Sequence, residues 1–169
     1  KDMDISSLQV DPVILTEIPQ LNKDVFKLIQ FSPSVTTSDP MSPQYYVRGS
    51  DPGENLVQMD GMTIYNPQHF MGSSAIFNPY SIKDVEMLVG GFDAEYGGRN
   101  ASIMNISTRE GHQSEIHGEF RPAISGISGA IEFPAGKNGT AMVSGRTYTD
   151  FMLRVMMGSP NLVMDYNAA

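Results

Sequence analysis

Residues 55–65 read NLVQMDGMTIY, a stretch typical of two short β-strands joined by a tight turn. The runs Leu56–Met59 and Met62–Tyr65 flank Asp60-Gly61, and a two-residue turn of this composition is a strong local signal for a hairpin. Both central residues of such a turn take positive φ, which Gly and Asp tolerate. The stretch therefore predicts an antiparallel hairpin.

One helix is predicted upstream of the hairpin. Apolar residues recur at helical spacing between Leu21 and Ile29, with Asn22 as the predicted N-cap and Asp24 in the first turn. Ser32-Pro33 is predicted to end this helix, because the residue before a proline avoids the helical region.

Short strands and turns are predicted for most of the remaining chain. Asn78-Pro79 predicts a single helical turn, since Asn caps helices and Pro suits the first helical position. Three longer segments after Gly111 are strand-like, and two of them approach the roughly 9–11 residues that a tilted strand needs to cross a membrane. Periodicity alone supports an ordinary antiparallel meander equally well. The strand-like segments are 13–15, 45–48, 85–89, 102–108, 115–121, 124–133 and 140–149, with loops at 34–43 and 66–78.

The composition excludes several classes of protein. The 169 residues include 11 Lys and Arg against 19 Asp and Glu, for a net charge of −8. The pI near 4.7 argues against nucleic acid as a partner, because phosphate contacts need clustered cations. Cysteine is absent, which excludes disulfides and thiolate metal sites. No apolar run approaches the roughly 18 residues of a membrane helix, and the first residues lack the apolar core of a signal peptide.

No catalytic or metal-binding constellation is predicted. The chain has no Gly-x-Ser-x-Gly elbow, phosphate-binding loop or His-Glu-x-x-His pair, so an enzyme is not expected. Of the histidines, only His112 and His117 lie close in sequence to each other. Glu115 would share a strand face with His117 while His112 faced the other way, so no metal site and no cofactor are predicted.

A series of motifs between residues 46 and 111 resembles the plug domain of TonB-dependent outer-membrane receptors, in a style similar to those of the Bacteroidota. The series comprises YVRGS at 46–50, NLVQMDGMTIYNP at 55–67, FN at 77–78, IKDVE at 82–86, GGFDAEYGGR at 90–99 and IMNISTREG at 103–111. Upstream, IP at 18–19 and QFSPSV at 30–35 resemble the entry to the plug, although the family usually has glycine where Ser34 stands. Downstream, GAIEFP at 129–134 and VSGRTYTD at 143–150 look like the first barrel strands, so the resemblance covers roughly residues 13–155.

The resemblance implies an α+β plug domain, a small mixed sheet with short helices, followed by the first antiparallel strands of a transmembrane β-barrel. The expected divisions are an N-terminal linker at 1–12, the plug at 13–111 and about three barrel strands at 112–169. A plugged transporter barrel has about 22 strands of about 10 residues. The chain is therefore expected to be a fragment of a longer one.

The function implied by the resemblance is a receptor whose plug gates energised uptake of a nutrient through the barrel. The implied partners are TonB, acting with ExbB and ExbD, and outer-membrane lipid, with room for an outer-membrane lipoprotein. The implied location is the outer membrane of a Gram-negative bacterium, with the plug inside the barrel on the periplasmic side. Residues 1–12 show no convincing TonB-contacting box. Two alternatives stay open: an outer-membrane structural or interaction component that keeps this scaffold, and a free-standing soluble plug module.

Three charged residues near glycine turns are candidates for a lock between plug and barrel: Arg48, Glu95 and Arg99. By resemblance, ion pairs of this kind hold the plug in place. A pair shielded from water resists separation strongly, because removing one partner leaves the other buried and unpaired. The alternative is that the three are ordinary surface charges worth less than about 1 kcal/mol each.

The loop after the hairpin is a candidate substrate contact. Tyr65, Asn66, Gln68 and His69 combine aromatic and amide groups with small neighbours, a mixture that suits ligand binding. Packing within the plug is an equal alternative for these four and the favoured one for the apolar residues of the same region, which are Phe70, Met71, Ile76 and Phe77.

Overall fold

The structure, a computed structural model, describes residues 7–10, 24–38, 42, 44–69, 74–93, 95–123, 126–136, 139–148 and 163–168. These residues form two compact units, one ending at Thr108 and the other beginning at Arg109. The strand predicted at 13–15 and the loop residues Phe70 and Met71 lie outside the described residues.

The first unit is built on a five-stranded mixed sheet, which confirms the α+β fold class. Its strands lie in the order β1-β6-β7-β4-β5, with β4 and β7 parallel and the other neighbours antiparallel. Strands β2 and β3 form a separate antiparallel pair. The bounds are β1 Ser7–Val10, α1 Val25–Ile29, β2 Val35–Thr36, β3 Tyr46–Val47, β4 Asn55–Met59, β5 Met62–Thr63, β6 Ile82–Leu88 and β7 Ser102–Thr108, with 3₁₀ turns at Pro52–Glu54 and Pro79–Ser81.

The predicted hairpin is confirmed. Asp60 and Gly61 have φ of 48° and 80°, and Met59 pairs with Met62 across the turn. The Asp60 carboxylate accepts hydrogen bonds from the Thr108 backbone N–H at 2.9 Å and from the Thr108 hydroxyl at 2.7 Å. The turn is therefore tied to the last residue of β7.

The N-cap of helix α1 differs from the prediction. Asp24, which the sequence placed inside the first turn, has extended φ and ψ and caps the helix, its carboxylate accepting from the Phe26 N–H at 2.8 Å. The predicted cap, Asn22, lies outside the described residues. The helix runs from Val25 to Ile29, with Gln30 as its C-cap, so it begins later than the apolar pattern from Leu21 suggested and ends before Ser32-Pro33.

The apolar core of this unit lies between α1 and the sheet. Val25, Phe26, Leu28 and Ile29 of α1 are buried, together with side chains of β4, β6 and β7. The Phe26 ring lies 5.5 Å from the Tyr45 ring and 5.9 Å from the Phe77 ring, the latter edge-on. Such aromatic pairs add to the stabilisation that burial alone provides.

Residues assigned to an N-terminal linker include a strand. Ser7–Val10 form β1, which pairs with β6 in a register from Ser7 opposite Leu88 to Val10 opposite Val85. Leu8 packs against the core, and the Gln9 side chain donates to the Asp84 carboxylate at 3.2 Å. These contacts hold the four residues in the sheet of the first unit.

The second unit is an antiparallel sheet with the strand order β8-β9-β10-β11. Its strands are β8 His117–Ala123, β9 Gly126–Ala135, β10 Gly139–Tyr148 and β11 Val163–Ala168. The first three confirm the strands predicted from sequence, whereas β11 was not predicted. Asp and Asn are depleted in strands, and both occur in the sequence VMDYNA of β11. These residues made the sequence pattern of β11 less typical of a strand.

Candidate functional site

A pocket of about 170 Å³ lies beside the end of the sheet at which β4 and β7 begin. Because these two strands are parallel, Asn55 and Ser102 lie opposite each other at this end, and the chain leaving β5 returns to it. The Ser102 hydroxyl donates to the Asn55 side chain at 2.7 Å, and the Asn55 amide donates to the Tyr45 carbonyl at 3.2 Å. These bonds fix one wall of the pocket.

Three of the four predicted substrate-contact residues line this pocket: Tyr65, Asn66 and Gln68. Tyr65 is 85% exposed, so its ring is open to solvent. His69 is not among the lining residues. Its backbone N–H donates to the Ser74 carbonyl at 2.9 Å, so its backbone helps close the loop.

The three candidate lock residues are not brought together. Arg99 is half-buried and lines the pocket, whereas Arg48 and Glu95 are exposed elsewhere. Among the described residues, no ion pair joins any two of the three. Arg99 lies far from the substrate-contact loop in sequence but lines the same pocket as Tyr65, Asn66 and Gln68.

Arg48 has an unusual backbone and a close neighbour. Its φ is 50°, in the left-handed region that non-glycine residues rarely occupy. Its Nη1 lies 3.0 Å from the position that a Cβ would take at Gly90, whose own φ is 77°. Glycine at position 90 therefore leaves room for the guanidinium, an arrangement that no spacing rule predicted.

Among the described residues, those that line the pocket carry only positive charge. Of the described residues that line it, only Arg99 carries a charged side chain, and the others are amide, hydroxyl, aromatic or aliphatic. In a chain with a net charge of −8, a pocket lined by one cation and no carboxylate favours an anionic or hydrogen-bond-accepting group.

Tyr45 lines the same pocket and is almost fully buried. Burial raises the pKa of its phenol far above the ordinary value, and the neighbouring Ser102 hydroxyl offsets only part of that rise. The phenol makes no hydrogen bond of ordinary geometry with a described residue.

At high pH, we expect the Tyr45 phenol to lower the free energy of unfolding of the chain. We expect Tyr45→Phe to abolish that contribution. Above about pH 10 the unfolded chain releases the phenol proton while the folded chain keeps it. The free energy of unfolding then falls as pH rises, by up to about 1.4 kcal/mol per pH unit. Urea denaturation between pH 9 and 11 measures this slope, and equal slopes for the variant and the unsubstituted chain would refute the expectation.

The histidine geometry corrects one expectation. His112 and His117 were predicted to face opposite ways, but their rings lie 4.2 Å apart at an interplanar angle of 32°. His112 precedes β8, so strand alternation does not govern its direction. The Glu115 carboxylate lies 3.7 Å from His117 Nε2. Within the described part of the chain, no three His, Cys, Asp or Glu side chains are grouped in a way that could hold a metal ion.

The second unit presents an apolar face on its sheet. Ile131 pairs with Val143 on β10 and with Gly118 on β8, which places the side chains of alternate residues on one face. Large side chains exposed on that face are Phe120, Ile127, Ile131 and Val143. The opposite face carries polar and charged side chains, including Glu119, Ser128, Glu132, Ser144 and Arg146. None of the helices within the described ranges is long and apolar enough to cross a membrane.

Comparisons with known proteins identify relatives of the chain. The family profile for the TonB-dependent receptor plug domain matches residues 14–102. Among solved structures, the chain is similar to the siderophore receptor PirA from Pseudomonas aeruginosa, with a TM-score of 0.64 and 18% identity over 86% of this chain. The match spans 28% of the length of that receptor, and at this identity it shows a shared fold. A comparison with curated proteins found no match.

Proposed function

This chain belongs to the TonB-dependent receptor plug domain family, and we propose that its plug gates energised uptake of a nutrient through an outer-membrane barrel. The observation that carries the proposal is the profile match over residues 14–102, on a mixed-sheet fold that continues into antiparallel strands. The proposed divisions are the plug at 13–111 and the start of the barrel at 112–169.

The proposed location is the outer membrane of a Gram-negative bacterium, with the plug inside the barrel on the periplasmic side. The two faces of the second sheet support this location, because transmembrane barrel strands alternate apolar residues toward lipid with polar residues toward the lumen. The exposed apolar face of Ile127, Ile131 and Val143 fits lipid contact. By family likeness, the proposed partners are TonB with ExbB and ExbD, outer-membrane lipid and an outer-membrane lipoprotein.

The pocket beside Tyr65 is the proposed substrate contact. Asn66 and Gln68 offer amide donors and acceptors, Arg99 offers a guanidinium, and Tyr65 offers an exposed ring. A ligand that presents a carboxylate or similar oxygen acceptor next to a ring would use all of these groups. The small volume suits one such group of a larger substrate. His69 supports the contact through the loop backbone.

Arg48 and Glu95 remain the candidates for a lock, and we propose that they pair with groups outside the plug. Both side chains are exposed, and neither forms an ion pair with another described residue of the chain. An exposed cation held on a left-handed backbone is a sign of a constrained, functional position. Arg99 serves the pocket in this proposal.

We expect Arg99→Gln to weaken substrate uptake while leaving the amount of receptor unchanged. A hydrogen bond to a charged group contributes about 1.5–3 kcal/mol, so the half-saturation concentration should rise about 10- to 100-fold. Lys83→Gln is the matched control, since Lys83 is an exposed cation of β6 outside the pocket.

The measurement begins with deletion of the gene and a screen of nutrients for lost uptake. Radiolabelled uptake of the nutrient so identified is then followed for each variant. Unchanged uptake of every nutrient after deletion would refute the transport proposal. In that case, stoichiometric co-purification with a non-transport complex would favour a structural or interaction component.

A further inference from the structure

The buried carboxylate of Asp24 connects two distant parts of the plug. Asp24 is 1% exposed, and its two oxygens accept from two backbone amides. Oδ1 accepts from Phe26 N at 2.8 Å and caps helix α1, while Oδ2 accepts from Ala75 N at 2.7 Å, across 51 positions of sequence. Both distances lie at the short end of the range of about 2.7–3.2 Å that is usual for N–H···O hydrogen bonds.

Ala75 lies at the base of the loop that carries the proposed substrate contacts. It forms a β-bridge with Gln68, and the next residue, Ile76, donates its N–H to the Pro67 carbonyl at 3.0 Å. On the other side of the bridge, His69 N donates to Ser74 O at 2.9 Å. The base of the loop is therefore a short β-ladder, and Asp24 links the Ala75 N–H of this ladder to the start of α1.

The ladder has few other polar supports. The Ser74 hydroxyl is buried and has no hydrogen-bond partner among the described residues. Ala75 is fully buried, so its N–H has no water to replace the carboxylate. Loss of the Asp24 bond would leave that buried N–H without a hydrogen-bond acceptor, which destabilises the base of the loop.

We propose that Asp24 is a positioning residue that makes helix α1 and the base of the 66–76 loop one cooperative unit. Displacement of α1 then releases the loop, and loosening of the loop weakens the start of α1, because energetic coupling between two sites is reciprocal. The importance of this link for substrate contact rests on the function proposed above. The link itself can be measured without any substrate.

Asp24→Asn separates the two roles of the carboxylate. Asparagine caps helices as well as aspartate does, so its oxygen keeps the bond to Phe26 N. Its NH₂ group then faces the Ala75 N–H, donor against donor, and the bond between helix and loop is lost. Asp51→Asn is the matched control, because Asp51 caps the 3₁₀ turn at Pro52–Glu54 through Gly53 N and makes no such link to a distant described residue.

Amide hydrogen exchange on the full-length protein tests the link. In Asp24→Asn we expect the amides of Ala75, His69 and Ile76 to exchange at least about tenfold faster, with the strand β7 amides unchanged. Asp51→Asn should leave all of these rates unchanged. Faster exchange at Ala75 alone, or equal acceleration throughout β7, would overturn the proposal, since the first shows no cooperativity and the second shows only general destabilisation.

A second variant tests the reverse direction. Lys27→Gly lowers the helix propensity of α1 without removing a buried apolar side chain. We expect the Ala75 amide to exchange about fivefold faster in this variant, and an unchanged rate would contradict the coupling. If exchange is coupled but uptake proves absent, the link stands and the transport proposal falls.

Discussion

Phe26→Ala should lower the free energy of unfolding of the plug by about 3–5 kcal/mol. The Phe26 side chain is 0% exposed and packs between the rings of Tyr45 and Phe77. Alanine removes most of the ring's contacts and leaves a cavity that a sheet and a short helix cannot fill by relaxing.

Phe31→Ala is the matched control for that experiment. Phe31 lies just beyond the C-terminus of α1 and is 72% exposed, so the same atoms are removed from a site that water already reaches. We expect a change within about 0.5 kcal/mol. Urea denaturation of the two variants, followed by far-ultraviolet circular dichroism, measures the difference. Similar shifts in the midpoint would contradict a core centred on Phe26.

Ile131→Arg should sharply reduce the amount of protein folded in the outer membrane. Ile131 is 54% exposed on the apolar face of the second sheet, between Gly118 and Val143 on neighbouring strands. An arginine on the lipid face of a transmembrane barrel costs about 2–4 kcal/mol near the bilayer midplane. At the upper figure, the equilibrium between folded and unfolded protein shifts by nearly a thousandfold.

Glu119→Arg is the control for the opposite face of the same sheet. Glu119 pairs with Ala130, one position out of phase with Ile131, and its side chain is exposed. We expect near-normal assembly, which the mobility of unheated protein in detergent gels reports. If the two variants assemble equally well, the apolar face does not contact lipid.

Local chemistry predicted the parts of the fold that depend on few residues. Asp60-Gly61 specified a hairpin because both residues tolerate positive φ, and Asn78-Pro79 specified a helical turn, since Asn78 caps it with its side chain at 3.2 Å from Tyr80 N. The motif series predicted the family. The two turn signals each lie within about ten consecutive residues. The motif series is a set of equally short signals in a fixed order.

The features that the sequence did not predict depend on contacts between residues far apart in the chain. The second hydrogen bond of the Asp24 carboxylate comes from Ala75, 51 positions away, and the strand at Ser7–Val10 pairs with β6. Arg99 joins Tyr65 in one pocket only because β4 and β7 are parallel and begin at the same end. The periodicity of a single sequence does not indicate which distant residues will be in contact.

The strand order has a consequence for the sequence of events during synthesis. Strand β7 lies between β6 and β4, although it is the last of the five strands in the chain. Until residues 102–108 have emerged, the sheet exists as two separate pieces, β1 with β6 and β4 with β5, each with an open inner edge. Open edges invite pairing with other chains, and non-local closure is slow. The plug therefore completes its sheet only with its final strand, and a nascent chain that pauses before that point exposes two strand edges to pairing with other chains.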